Sequence, residues 1–111
     1  MAQAVLEYRS LFEGKPYSEI DCSHLVHQIY SKAGFSYPYT TTAGWPPSQF
    51  IKVATPEAGD VIHFEGHVGI YVSPGKFFGS QTSTGVKEAS FGPDAYWGKT
   101  KKILGYYRYG A

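Results

Sequence analysis

Cysteine is nearly absent from this chain. Cys22 stands alone, so no internal disulfide can staple the fold, and the cysteine count does not report a redox compartment. Net charge is nearly absent too: 10 Lys and Arg against 9 Asp and Glu leave a formal +1 at pH 7. No global field therefore draws the protein to nucleic acid or to anionic lipid. The one basic cluster, Lys99-Thr100-Lys101-Lys102, is short and reads as a solvated turn. No apolar run approaches the ~20 residues of a membrane-spanning helix. Residues 1–12 carry Glu7 and Arg9 and lack a basic stretch followed by an apolar one, so no signal peptide is expected. Action outside the cytoplasm then calls for another delivery route or a longer parent chain. There is no internal repeat and no low-complexity tract. Zinc-type short-spaced Cys or His pairs are missing, and His63 and His67 have metal spacing on a helix rather than a strand. Neither metal nor cofactor is expected.

Aromatics and turn residues are abundant instead. Ten tyrosines, seven phenylalanines and two tryptophans stand beside 13 glycines and seven prolines, a composition that favours a turn-rich domain with an aromatic-lined groove over a helical bundle. With 111 residues there is room for a single domain, 1–111, burying roughly two-thirds of its unfolded surface without staples. Nothing demands more than a monomer.

The hydrophobic spacing predicts a first helix over Ala2 to Phe12, ended by Glu13-Gly14-Lys15-Pro16. Tyr17 to Ile20 is a loop. A second helix runs from about Cys22 to Lys32, capped by Asp21 and stopped by Gly34, with Cys22, Leu25, Val26, Ile29 and Ala33 on one face. Residues 35–47 form an aromatic loop, and Ser48 to Val53 suggests one short helical turn. Strands follow at about 60–64, 67–73, 76–82 and 84–88, with a hairpin turn at Ser73-Pro74-Gly75-Lys76, and a last strand spans Ile103 to Tyr109. Helices first and an antiparallel meander after define an α+β fold.

Cys22 carries two readings. It shares the apolar face of its helix, as a small buried residue would. It also opens that helix, where free N–H groups and the helix dipole favour a thiolate, the form that attacks carbonyl carbon. A lone cysteine followed by a histidine on a strand is the pattern of a nucleophile and its base. Of the four histidines, His67 opens the most regular strand and follows a glycine, which makes it the candidate base. His63 sits between Ile62 and Phe64 and reads as structural; it shares a face with His67 only if no turn intervenes, and Glu65-Gly66 suggests one. His24 and His27 lie on the cysteine helix. A catalytic imidazole needs a third group to hold its orientation. Gln81, on the same strand face as Gly79, could accept the imidazole N–H, or could serve as a surface or turn-supporting glutamine.

Three blocks together carry a family likeness. Asp21-Cys22-Ser23-His24-Leu25-Val26, Pro56-Glu57-Ala58-Gly59-Asp60-Val61-Ile62-His63-Phe64 and Gly66-His67-Val68-Gly69-Ile70-Tyr71-Val72 resemble the NlpC-type cell-wall endopeptidases, papain-like cysteine peptidases of bacteria. The likeness runs from about Tyr17 to Gly85. It implies a papain-like α+β domain, with the nucleophile at a helix N-terminus packed on a small antiparallel sheet. It implies hydrolysis of amide bonds in peptidoglycan stem peptides, often between D-glutamate and a diamino acid, in the periplasm or the extracellular wall. Cys22 matches the nucleophile and His67 the base. Asp21 and Ser23 match flanking residues that help hold the stem peptide, and Tyr17 matches an upstream tyrosine near the active site. The family usually has glycine where this chain has His24, and many members place a third catalytic histidine where this chain has Gly79; Gln81 is the substitute. The aromatic loop around Tyr37, Tyr39 and Trp45 is expected to wall the cleft or to pack in the core. A related papain-like amidase or acyltransferase, or an inactive domain that holds wall peptide, would carry the same motifs.

Overall fold

The computed structural model describes residues 3–110. The first expected helix is shorter than its spacing suggests: α1 covers Gln3–Leu6, and a separate 3-10 turn covers Arg9–Leu11, while Ala2 lies outside the described residues. Long i→i−3 bonds at the break, Glu7 N–H to Ala4 O and Tyr8 N–H to Val5 O at 3.3 Å each, tighten the chain out of the α-helix. A segment this short owes its helicity to packing, and only Val5 of α1 is fully buried. Beyond it, Gly14 and Lys15 exchange backbone bonds of 2.8 Å with Val86, which fastens the entry loop to the sheet edge.

Helix α2, Cys22–Lys32, begins and ends where the sequence places it. The Asp21 carboxylate caps its start by accepting from His24 N–H at 3.0 Å. Gly34, at φ +93°, turns the chain away just beyond its end. Its inner face buries Cys22, Ser23, Leu25, Val26, Ile29 and Tyr30.

Six antiparallel strands form one sheet: β1 Phe50–Val53, β2 Val61–Phe64, β3 His67–Ser73, β4 Lys76–Gln81, β5 Gly85–Ser90 and β6 Ile103–Tyr109, in the order β1-β6-β2-β3-β4-β5. The last strand thus lies between the first two. The helical turn expected over Ser48 to Val53 is instead β1, paired with Tyr106 through Tyr109. Phe50 is buried in the aromatic cluster of Tyr30, Tyr37 and Trp45, and β-branched Ile51 and Val53 suit a strand once β6 supplies a partner. Such a partner 50 residues away leaves no local trace.

Strand alternation divides the core. Val61, Val68, Ile70, Phe78 and Val86 pack toward Leu25, Val26 and Ile29 of α2. Ile62, Phe64 and Phe77 face the other way, beneath Phe91, Trp97, Ile103 and Tyr106. The cover on that second face is an irregular segment between β5 and β6. At Gly98 (φ +116°) the segment folds back so closely that a Cβ would lie 2.5 Å from Gly92 O, so glycine is required there.

Candidate active site

Cys22 occupies the first turn of α2 and is 5% exposed. Burial pushes its thiol up from the ordinary range, against the opposing pull of backbone N–H groups of Val68, Ser23 and Cys22 itself. The helix start therefore does supply the donors expected of it, but desolvation outweighs them and the resting group is a thiol. Val68 follows His67 in β3, so the sulfur lies beside the head of the strand that carries the imidazole. Among the described residues, no hydrogen bond links the Cys22 sulfur directly to a histidine nitrogen.

His67 is 5% exposed at the head of β3. Its Nε2 lies 3.2 Å from Gln81 Oε1. The Gln81 amide is fixed in that orientation because its nitrogen donates to Thr84 Oγ1 (3.3 Å) and to Lys87 O (3.4 Å). Nε2 of His67 is thereby the protonated nitrogen, leaving the Nδ1 lone pair free. Gly79 makes the contact possible: a Cβ there would lie 2.6 Å from Gln81 Oε1 and 3.4 Å from His67 Nε2. Trp97 stacks on the imidazole at 4.4 Å between centroids and 26° between planes, with Phe77 meeting it edge-on and Phe64 lying tilted beside it. Burial lowers the His67 pKa to about 4, which the Gln81 bond opposes and the nearby Lys101 charge reinforces.

This has a sign that can be measured. The unfolded imidazole takes up a proton near pH 6.5 and the folded one only near about 4. Stability from the neutral His67 is complete above pH 6.5 and is lost as pH falls toward 4, an amount on the order of 3 kcal/mol. Urea unfolding at pH 7, 6 and 5 is expected to show about 2 kcal/mol of that loss, and a His67→Gln variant a shallower one. His63 contributes in the same direction, since burial lowers it too. Equal slopes for wild type and variant would remove His67 as the source.

Around this pair, Tyr17 and Asp21 fall into two arms of a cleft that share Tyr17, while Ser23 is buried beside them and lines neither. One, of about 370 Å³, is lined by Tyr17, Ser18, Glu19, Ile20, Asp21, His24 and Gln28. The other, of about 260 Å³, is lined by Tyr17, Glu65, Gly66, His67, Thr82, Tyr96, Trp97 and Lys101. Tyr17 is close enough to Cys22, Asp21 and Tyr39 that, after burial, their charges raise its phenol. Asp21 accepts from Ser23 Oγ at 3.3 Å and meets His24 Nδ1 at 2.7 Å. Ser23 Oγ also bonds Tyr39 Oη at 2.7 Å, and Tyr39 stacks on His24 at 4.2 Å. The bonds from His24 hold the Asp21 carboxyl below its ordinary range although partial burial works against them.

His63 and His67 lie on opposite faces, as the Glu65-Gly66 turn requires: His63 packs near Trp45 and Tyr107. The expected aromatic wall splits. Tyr39 borders the cleft at Ser23 and His24, whereas Tyr37 and Trp45 are buried in the core. Trp97 and Lys101 escape sequence reasoning. The basic cluster expected as a solvated turn contributes Lys101 to the cleft, and only the Trp97-Gly98 pair hints at a chain folded back on itself.

A helix-borne thiol set against the head of a sheet strand, with the strand's histidine held by an amide, is the arrangement of the papain-like fold. The chain belongs to the NlpC/P60 family, whose profile matches residues 7–104. It is 31% identical over 111 aligned positions to the bifunctional muramidase/DL-endopeptidase CwlT of Bacillus subtilis, covering 86% of this chain and 33% of that protein. It is 33% identical over 98 positions to the probable endopeptidase p60 of Listeria innocua, covering 78% of this chain and 21% of that one. The chain thus spans a third or less of the curated relatives it matches. In structure it superposes on an NlpC/P60 family protein from Bacillus cereus with a TM-score of 0.79 at 21% identity, covering all of this chain and 41% of that one. It superposes on the NlpC/p60 domain of the peptidoglycan hydrolase SagA with a TM-score of 0.72, also at 21% identity, covering 97% of this chain and 98% of that domain.

Proposed function

We propose that the chain acts as one unit, without metal or cofactor, to hydrolyse amide bonds in peptidoglycan stem peptides, with the bond between D-glutamate and a diamino acid as its target. The observation that carries this reading is Cys22 in the first turn of α2 beside the head of β3, where His67 is held by Gln81. The names of the relatives, DL-endopeptidase and endopeptidase p60, support the same chemistry; a peptidoglycan substrate would put the work in the periplasm or the extracellular wall.

His67 Nδ1 takes the Cys22 proton as the sulfur attacks the scissile carbonyl. Because the resting pair is neutral, this transfer accompanies substrate binding, when the catalytic contacts tighten. Backbone N–H groups at the start of α2, including that of Cys22, receive the oxyanion. The imidazolium, held by Gln81 Oε1 through Nε2–H, gives its proton to the leaving amine. Water, deprotonated by His67, then cleaves the thioester. Tyr17 and Asp21 hold the acyl half of the peptide in the larger arm, with Ser23 supporting Asp21 from behind.

Digestion of purified peptidoglycan by wild type and Cys22→Ala, read by mass spectrometry, tests the reading. Fragments made only by the wild type support it, and their masses name the bond. A folded wild type that releases nothing from several wall chemistries favours a binding domain and ends the hydrolase reading. The part assigned to Gln81 has its own test. Gln81→Ala is expected to lower kcat roughly 100-fold with KM little changed, and Gly79→Ala to do the same by displacing the amide. Wild-type kcat in Gln81→Ala would return Gln81 to a supporting part in the turn.

A further inference from the structure

We propose that Lys101 binds a carboxylate on the leaving half of the substrate, so that the residue whose amine is released carries a second, free carboxylate rather than the corresponding amide. The proposal rests on the hydrolase reading for its geometry: a proton delivered by His67 to the leaving nitrogen puts the leaving residue in the arm of the cleft that His67 lines. Lys101 lines that arm and not the one beside Asp21.

Three features mark Lys101 as built for a ligand. It is half-buried, while its neighbours Lys99 and Lys102 are exposed. Among the described residues, no carboxylate lies within ion-pair distance of it. Glu65, the acid in the same arm, has Oε1 engaged with Lys102 N–H at 3.1 Å.

Its backbone is also pinned on every side. Lys101 N–H donates to Tyr96 O at 3.1 Å, its carbonyl accepts from Gly98 N–H at 2.7 Å, and Glu65 N–H donates to Lys102 O at 3.0 Å. This last pair ties the segment to the turn immediately before His67, so only the Lys101 side chain, not its backbone, has to be ordered on binding.

The cation also stands where it hinders the base. Its charge works against the imidazolium on which the reaction depends. A substrate carboxylate paired with Lys101 cancels that opposition at the moment of proton transfer. An amide in the same place leaves it intact. The preference should therefore appear in turnover as well as in binding.

The test uses two synthetic stem peptides, identical except that the leaving residue's side chain ends in a carboxylate in one and a carboxamide in the other. Wild type is expected to favour the carboxylate in kcat/KM by roughly tenfold or more, the scale of a hydrogen bond to a charged group. Lys101→Met is expected to bring the ratio near one, and Lys101→Arg to restore it. An unchanged ratio in Lys101→Met overturns the proposal. Calorimetry with Cys22→Ala separates it from the reading beneath it. If wild type cuts neither peptide, the hydrolase reading fails, yet a carboxylate preference in binding that disappears with Cys22→Ala/Lys101→Met still upholds the Lys101 site. Equal affinity for both peptides, or no binding of either, overturns it.

Discussion

Cys22→Ala is expected to lower kcat/KM on a defined stem peptide by at least about 10⁴-fold while leaving the protein folded. The reasons lie in different parts of the structure. The sulfur is the one thiol in the chain, and no second cysteine exists to replace it. The side chain is small and sits at the end of the buried face, so its loss removes little packing; Tm is expected to fall by no more than about 8 °C. Stopped assays on wild type and variant, with a thermal melt of each, check both halves. Residual activity within tenfold of wild type would sink the nucleophile assignment outright.

The second large effect is expected at a residue that performs no chemistry. Phe64 is fully buried and packs against Phe77 at 5.0 Å, Trp97 at 5.3 Å and His67 at 6.0 Å between ring centroids. Phe64→Ala removes the floor on which the His67–Trp97 stack rests. A cost of about 3–5 kcal/mol is expected from the transfer and cavity terms, a large share of the ~5–15 kcal/mol that holds a domain together. Phe64→Leu preserves most of the volume and is expected to cost under about 1.5 kcal/mol. Its kcat then shows whether the ring itself matters. Urea titrations of both variants give the energies. An alanine variant as stable as wild type would mean that the second core layer is not held from this side.

The legible parts of this fold are those set by neighbours in sequence. Helix α2 announces itself through Asp21 at its cap, a continuous apolar face and Gly34 beyond its end. Alternation places Gly79 and Gln81 together and Ser80 opposite, and in the structure Ser80 Oγ turns away to donate to Ile20 O at 2.5 Å. The turn between His63 and His67 is visible in Glu65-Gly66. What escapes is set by partners far along the chain. Phe50 to Val53 carries a mixed pattern that only the pairing with β6 resolves into a strand. Residues 1–12 have helical spacing, yet the packing of Val5 and the tether of Gly14 to Val86 divide them. Trp97 looks like one more loop aromatic until the Gly98 fold-back lays it on the imidazole. Lys101 looks solvated for the same reason. For the thiol, both the helix-start donors and the buried face are legible; that burial outweighs the donors is decided by tertiary packing.

The position of β6 bears on how the protein is made. A ribosome that has released everything through Gln81 has already delivered Cys22, His67 and the glutamine between which the chemistry would run. Yet β1 and β2 are not neighbours, and the gap between them is filled by Ile103–Tyr109. The same closing stretch supplies Arg108, whose Nη2 reaches the buried Asp60 carboxylate at 2.8 Å, and Tyr109, whose hydroxyl ties Ser36 O at 2.6 Å. Until those residues clear the exit tunnel, β1 has no strand partner, β2 has an unpaired edge and the buried Asp60 lacks Arg108. The sheet is therefore completed only when β6 has emerged, and the tie of Asp60 to Arg108 is among the last contacts to form during synthesis.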